Sequence, residues 1–323
     1  MSVRFRCLIV MGVAAGILGT SRSAPAQLDH LPYMLKYNRG QNIQPIFQGW
    51  SRNPDGSFEM HLGYLNRNYV EELHIPIGPD NHIEPSGPDR GQPTYFHTRV
   101  NRQIFSVTVP ADWGDKEIVW TVTVRGKTER TVAWLQPEWE IDTITRGRTL
   151  SAEAASNQAP TLAVEAAQTV TLPGTLTLTA SASDDGLPTP RAQGQRPRAI
   201  GQETPPLLKP PPGSVAAPKN LPGLRVNPRG RQVRPLSPEG LAVSYRVWRG
   251  PAGVTFEPGF AAVTDGTAAT TATFQTPGTY VLRARATDGR IVFSSAGNPS
   301  GDAKSTELDL TVIVRGAPSA SRP

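Results

Sequence analysis

Five histidines, His30, His61, His74, His82 and His97, are the side chains best suited to ligate a metal or move a proton in this chain. Neutral imidazole is a common metal ligand and titrates near neutrality. His74, His82 and His97, with Asp80 and Glu84, would form a site only if three loops met. No two of the five have the tight spacing of a zinc site, so they read as surface or strand histidines. A second set is acidic: Asp184-Asp185-Gly186, Asp265-Gly266 and Asp288-Gly289. Calcium takes about six or more oxygen ligands, and carboxylates gathered at one pole of a β-sandwich would supply some. Asp before Gly also stabilises a turn, which is reason enough for each. The metal expectation is therefore none, with Asp184, Asp185, Asp265 and Asp288 as the calcium candidates.

A third set is aromatic. Trp50, Tyr64, Trp120, Trp134 and Trp139 would stack against sugar rings if they lay in one exposed plane. A Trp on an alternating strand usually belongs to the core instead. Trp134 and Trp139 stand on an outer strand and its exit, so these two, with Tyr64, are the ligand-binding candidates. No Gly-x-Ser-x-Gly, His-Glu-x-x-His or Gly-rich phosphate loop occurs. No catalytic residue and no cofactor is assigned.

The elements that would position these residues start with an N-terminal segment of a different kind. Arg4 and Arg6 precede an apolar run from Cys7 to about Gly19, and Ala24-Pro25-Ala26 follows. This is the pattern of a secretory signal peptide over residues 1–26, cleaved after Ala26. The run is too short for a permanent membrane anchor. Cys7 is the only cysteine, so the exported chain would have no disulfide and no thiolate chemistry. Export places the protein in the periplasm or outside the cell.

The net charge of +6 is unevenly spread. Three arginines fall within residues 1–26, and nine Lys/Arg against two acids fall within 187–240, so the remainder is net acidic. The high pI does not describe a basic folded surface. Residues 187–240 also hold 13 prolines and no aromatic residue, which marks an extended or disordered insertion. It could touch an anionic polymer. Nucleic acid is not an expected partner, because the chain is exported and the basic segment lacks interleaved aromatics.

Strand patterning fills the rest. Phe58, Met60, Leu62 and Tyr64 alternate after the Asn53-Pro54-Asp55-Gly56 turn, and Ile118, Trp120, Val122 and Val124 line one face. Residues 28–145 are expected to be an N-terminal β-sandwich, followed by a small, polar linker at 146–160. A second β-region spans 161–315 around the insertion, ahead of a disordered tail at 316–323. Within it Leu176, Leu178, Ala180 and Ala182 share a face. So do Tyr280, Leu282, Ala284 and Ala286, while Arg283, Arg285 and Thr287 share a mostly wet face with Val281. Closing a loop ninefold longer than about 6 residues costs only about 2 kcal/mol, so a sandwich tolerates the insertion.

"VTLPGTLTLTASASDDGLP", "LAVSYRVWRGPAGVTF", "TATFQTPGTYVLRARATDG" and "STELDLTVIV" together resemble bacterial polycystic-kidney-disease (PKD)-like repeats of the immunoglobulin-like superfold. The resemblance covers about 161–186 and 241–314. Such domains usually carry a Trp in the strand before the Gly-Pro turn, and here Tyr245 or Trp248 would take that place. "NPDGSFEMHLGYLNRN" and "GPDRGQPTYF" resemble an uncharacterised β-domain of secreted bacterial proteins. The resemblance implies a spacer, adhesion or interaction module. The expected protein is all-β, with two sandwiches, the second immunoglobulin-like. It would be non-catalytic, acting in the bacterial envelope or outside it, with envelope polysaccharide or another extracellular protein as partner. A carbohydrate-binding accessory protein is the alternative, and an enzyme with an unrecognised site the third. The sequence sets no oligomeric state.

Overall fold

The computed structural model describes residues 37–141, 155–189, 225–226, 232–233, 240–289 and 303–317. The expected signal peptide, most of the linker, most of the insertion and residues 318–323 lie outside the described residues. Among the described residues no helix is long and apolar enough to cross a membrane.

The first sandwich comprises β1 (Ile43–Arg52), β2 (Phe58–Asn66), β3 (Leu73–His74), β4 (Asn81–Glu84), β5 (Tyr95–Phe96), β6 (Arg99–Val109), β7 (Ile118–Val124) and β8 (Lys127–Ala133). One antiparallel sheet runs β1-β2-β6 and another β4-β7-β8, with β3 and β5 as a short ribbon. The turns follow from the sequence. At the β1–β2 turn, Gly56 has φ +86° and Asp55 Oδ1 accepts the Ser57 backbone N–H at 2.9 Å. Between β7 and β8, Arg125 and Gly126 both have positive φ, the backbone of a two-residue hairpin that twists with its strands.

Alternation puts Met60, Leu62 and Tyr64 from β2 and Ile118, Trp120 and Val122 from β7 into one core. Trp50 joins them, and its indole N–H donates to the Gln136 carbonyl at 2.8 Å. After β8 the chain makes one short 3-10 turn, Pro137–Trp139.

The second sandwich comprises β9 (Thr161–Val164), β10 (Ala167–Thr171), β11 (Thr175–Ser183), β14 (Ala242–Arg249), β15 (Thr255–Glu257), β16 (Ala261–Ala262), β17 (Thr267–Thr273), β18 (Gly278–Thr287) and β19 (Ser305–Arg315). Between its halves, β12 (Arg225–Val226) and β13 (Gln232–Val233) form a two-residue ladder. One sheet is ordered β15-β17-β11-β9 and the other β10-β19-β18-β14-β16. The first strands split between the sheets. β9 pairs antiparallel with β11, whereas β10 crosses over and pairs parallel with the last strand, β19. With the antiparallel β14-β18-β19 ladder, this is an immunoglobulin-like sandwich.

Its core is made by the faces that alternation selects: Leu178, Ala180 and Ala182 from β11, and Tyr280, Leu282, Ala284 and Ala286 from β18. On β14, Val243, Tyr245 and Val247 point into this core. Of the two aromatics proposed for the core position before the Gly-Pro turn, Tyr245 is the one in this core. It stacks on Phe256 with ring centroids 6.1 Å apart, and burial pushes its phenol up to about 12.

Trp248 does not join that core. A register shift between Val247 and Arg249 accompanies its turn to the opposite face, where it enters the core of the first sandwich. Tyr95 of β5 reciprocates by entering the immunoglobulin-like core. Each sandwich therefore holds a side chain of the other.

The Arg283/Arg285 face corrects an expectation. It is not wet. The two side chains are only 14% and 10% exposed, because the first sandwich covers this side of β14 and β18. Arg283 donates to the Ile104 carbonyl of β6 at 3.0 Å, and Val281 packs against the first core.

Candidate functional site

Of the aromatic candidates, the fold leaves two at the surface. Trp134 follows β8 and Trp139 lies in the 3-10 turn, 37% and 42% exposed. Both rest on Phe47 of β1, with centroids 6.2 Å away for Trp134 and 5.5 Å, near-parallel, for Trp139. Half-buried indoles fixed from below in this way hold their outer faces still, which is what ring stacking requires. Gly49 permits the arrangement. At φ +110° it lies beneath the turn, and a Cβ there would come 2.6 Å from the Trp139 carbonyl oxygen.

Tyr64 is no part of this surface. It is fully buried, edge-to-face with Phe96, and its hydroxyl accepts the backbone N–H of His97 at 2.8 Å. Its place on the same face as Met60 and Leu62 made it a core residue, so it cannot stack on a sugar. Trp50 and Trp120 are likewise core.

The acidic turns collect at one pole, where β11 and β18 end and β17 begins. Asp184, Asp185 and Asp288 tie loops through some of their oxygens, while Asp184 Oδ1 is buried with no hydrogen-bond partner among the described residues. Asp184 Oδ2 accepts from Gly186 N–H and Asp185 Oδ1 from Leu187 N–H, each at 2.9 Å. Asp288 accepts from Lys304 N–H at 2.7 Å and from the buried Asn157 amide at 3.1 Å. Burial pushes both Asp184 and Asp288 up, and the charge of Asp184 adds to the effect on Asp288. Asp265 sits in a left-handed turn at φ +51°. Among the described residues no three His, Cys, Asp or Glu side chains are grouped as a metal requires.

The histidines separate too. His82 and Glu84 line an open depression formed by residues 78–79 and 82–88. His74, pushed down by burial, is on β3, and His61 bonds Ser51. His97 faces the second sandwich, so the four histidines among the described residues do not converge.

A dense polar constellation lies along the seam between the sandwiches, which sequence reasoning missed. Arg249 grips Asp89 with two bonds of 2.9 and 2.7 Å and donates to the Gln92 carbonyl. Arg283 holds Asp309 in a fork of 2.7 and 2.8 Å while lying over the Trp248 ring. Arg246 donates to Asn101 Oδ1 at 3.3 Å, and burial pushes its guanidinium down. Thr94 N–H donates to the Trp248 carbonyl at 3.2 Å. At the centre, Glu72 accepts from Tyr95 Oη at 2.7 Å and lies 3.0 Å from His97 Nδ1. Burial pushes Glu72 up, but hydrogen bonds from His97 and Tyr95, with the charges of His97 and Arg246, outweigh it and hold the carboxyl below its ordinary value. The readable signal was Trp248 itself, a second large aromatic on the strand face opposite Tyr245 and beside Arg246.

No protein-family model matches the chain, and no curated protein does. Several solved structures align with it loosely, three of which illustrate the range. Domains 4 and 5 of the S-layer protein SbsC are 10% identical, with 85% of this chain and 98% of that one covered and a TM-score of 0.23. An I-band fragment of titin is 8% identical, with 86% and 67% covered and a TM-score of 0.20. The D00-D0 domain of intimin is 9% identical, with 84% and 99% covered and a TM-score of 0.22. Likeness at this level assigns neither a function nor a partner.

Proposed function

We propose that the chain is an exported, non-catalytic structural or binding module of the bacterial envelope or exterior. In this reading residues 1–26 are removed on export. A β-sandwich over 28–145 and a PKD-type immunoglobulin-like domain over 161–315 then act as one stiff unit. The observation that carries it is the exchange across the seam, with Trp248 in the first core and Tyr95 in the second. Two domains sharing core residues hold a fixed angle, which suits a spacer or a presenting scaffold more than a hinged enzyme. Calorimetry of the full chain tests it: one coupled unfolding transition is expected, and two independent transitions would overturn the stiff-unit reading. N-terminal sequencing from the native host should begin at Gln27 or within a few residues. An intact Met1 on cytoplasmic protein would refute export.

A second reading, carbohydrate binding, is favoured by Trp134 and Trp139 seated on Phe47. Envelope polysaccharide is the partner class it names. A glycan array probed with the full chain and with a Trp134→Ala/Trp139→Ala variant decides it. Binding that the variant loses supports the reading, and no binding by either removes it.

A further inference from the structure

His97 presents both ring nitrogens to acceptors. Nδ1 lies 3.0 Å from Glu72 Oε1, and Nε2 lies 2.9 Å from the backbone carbonyl oxygen of Val247 on β14. A neutral imidazole has one N–H and one lone pair. It can satisfy either acceptor, but must then aim its lone pair at the other. The imidazolium satisfies both. From this geometry we propose that His97 is a pH-sensitive latch between the two sandwiches, closed when protonated and weakened when it loses its proton.

The geometry makes His97 the member of the cluster whose protonation decides how many of its bonds can form. Glu72 is held below its ordinary value despite burial, by the bonds and charges described above, so it stays a carboxylate. Tyr95 packs edge-on to the imidazole with centroids 5.1 Å apart, and Tyr64 Oη receives the His97 backbone N–H. Burial pushes both phenols up, so both remain hydroxyls. From the second sandwich, Arg246 is the charged side chain that faces the cluster, acting on Glu72 and Tyr64, and Glu307, Arg283 and Arg285 act on Arg246 in turn. The Glu72 carboxylate favours the imidazolium and Arg246 opposes it, with Glu307 opposing Arg246.

A latch of this kind answers to the medium. If the protein is exported as proposed above, it meets external pH directly, and a histidine at this seam would make its stiffness depend on that pH. The direction is fixed by linkage. A seam closed by the imidazolium weakens as pH rises through the imidazole range. One linked proton changes the unfolding constant by at most about tenfold per pH unit.

The test uses the full chain labelled with 15N-histidine. At about pH 6, within the imidazole range, both ring nitrogens of His97 should carry protons. In urea titrations at rising pH, the unfolding constant of the wild type should climb more steeply than that of His97→Gln. The Gln variant also identifies the His97 signal by its loss. If that variant does not fold, the signal is assigned in the wild type by proximity to the Tyr95 ring, and the ring-nitrogen reading decides alone. A single neutral tautomer in the folded protein at that pH, or equal pH slopes for wild type and variant, would overturn the latch.

Discussion

The guanidinium carbon of Arg283 lies 3.6 Å from the centroid of the Trp248 ring, although the two residues belong to neighbouring strands of the second sandwich and the indole is buried in the core of the first. Arg283 therefore seals the seam. It stacks on the indole, holds Asp309 in a fork and satisfies the Ile104 carbonyl. A partly desolvated cation–π contact is worth about 0.5–2 kcal/mol, and a hydrogen bond from a charged donor about 1.5–3 kcal/mol. The Asp309 pair adds little, since that carboxylate is 40% exposed. Arg283→Ala should cost about 2–4 kcal/mol in urea denaturation of the full chain. Arg283→Lys should recover less than half of the loss, because an ammonium cannot form the fork and stack at once. A cost for the alanine variant within the ~0.5 kcal/mol typical of surface changes would mean this face is solvated after all.

Leu282 and Trp248 separate the two cores. Leu282 is fully buried in the immunoglobulin-like core, and Leu282→Ala should cost about 2–5 kcal/mol. Trp248→Ala should cost about 3–5 kcal/mol, but its damage should spread differently. Its ring packs edge-to-face on Phe105 of β6, with centroids 6.2 Å apart. Hydrogen exchange should then rise in β6 and its partner β2 as well as in β14. Exchange confined to the second sandwich would show that the shared core does not couple the two.

Alternation made the inner faces legible. A period of two along Tyr280, Leu282, Ala284 and Ala286 needs no partner to be read, because one side must be dry. The opposite face was misread for a physical reason. Arginine marks a side chain that needs polar company, and its stem covers apolar surface as readily as it extends into water. Whether water or another sandwich supplies the company depends on residues such as Ile104, 179 positions away from Arg283. Tyr64 was misread in the reverse sense, its hydroxyl suggesting surface while its strand face required the core. Trp134 and Trp139 were legible as exposed because they stand where a strand ends and alternation no longer forces burial. His97 was visible only as a histidine. Its two acceptors come from Glu72 in the β2–β3 loop and from a backbone carbonyl 150 positions on, and a carbonyl leaves no trace in a sequence.

The turn that launches β18 should be intolerant of a side chain. Gly278 sits at φ +148°, and a Cβ there would come 2.8 Å from Pro251 Cγ. Pro251 belongs to the Gly-Pro turn after β14, so it has little freedom to retreat. Overpacking costs about 1–3 kcal/mol, and the backbone conformation adds to this. Gly278→Ala should lower the thermal midpoint clearly, whereas Gly126→Ala, with open space around its Cβ, should carry only the strain of φ +75°. Equal midpoints for Gly278→Ala and wild type would show that the two turns are not in contact.

Acid should weaken the same seam from the other side. Asp89 is held below its ordinary value first by its hydrogen bonds from Arg249, and Glu72 by the donors around it despite its burial. A carboxyl whose folded value is depressed stabilises the fold above its unfolded value, about 4, and that contribution disappears as pH falls through the folded value. Both groups span the seam, since Arg249 lies on β14 and His97 ties Glu72 to Val247. Acidification below about pH 4 should therefore loosen the sandwiches from each other before either core melts. Urea titrations from neutrality downward should show stability falling with pH in the wild type. Asp89→Asn and Glu72→Gln should start from lower stability and show a shallower acid slope, because the neutral amide has no proton left to bind. An acid slope unchanged in both variants would place the acid-sensitive groups elsewhere and leave the seam without an electrostatic part in acid stability.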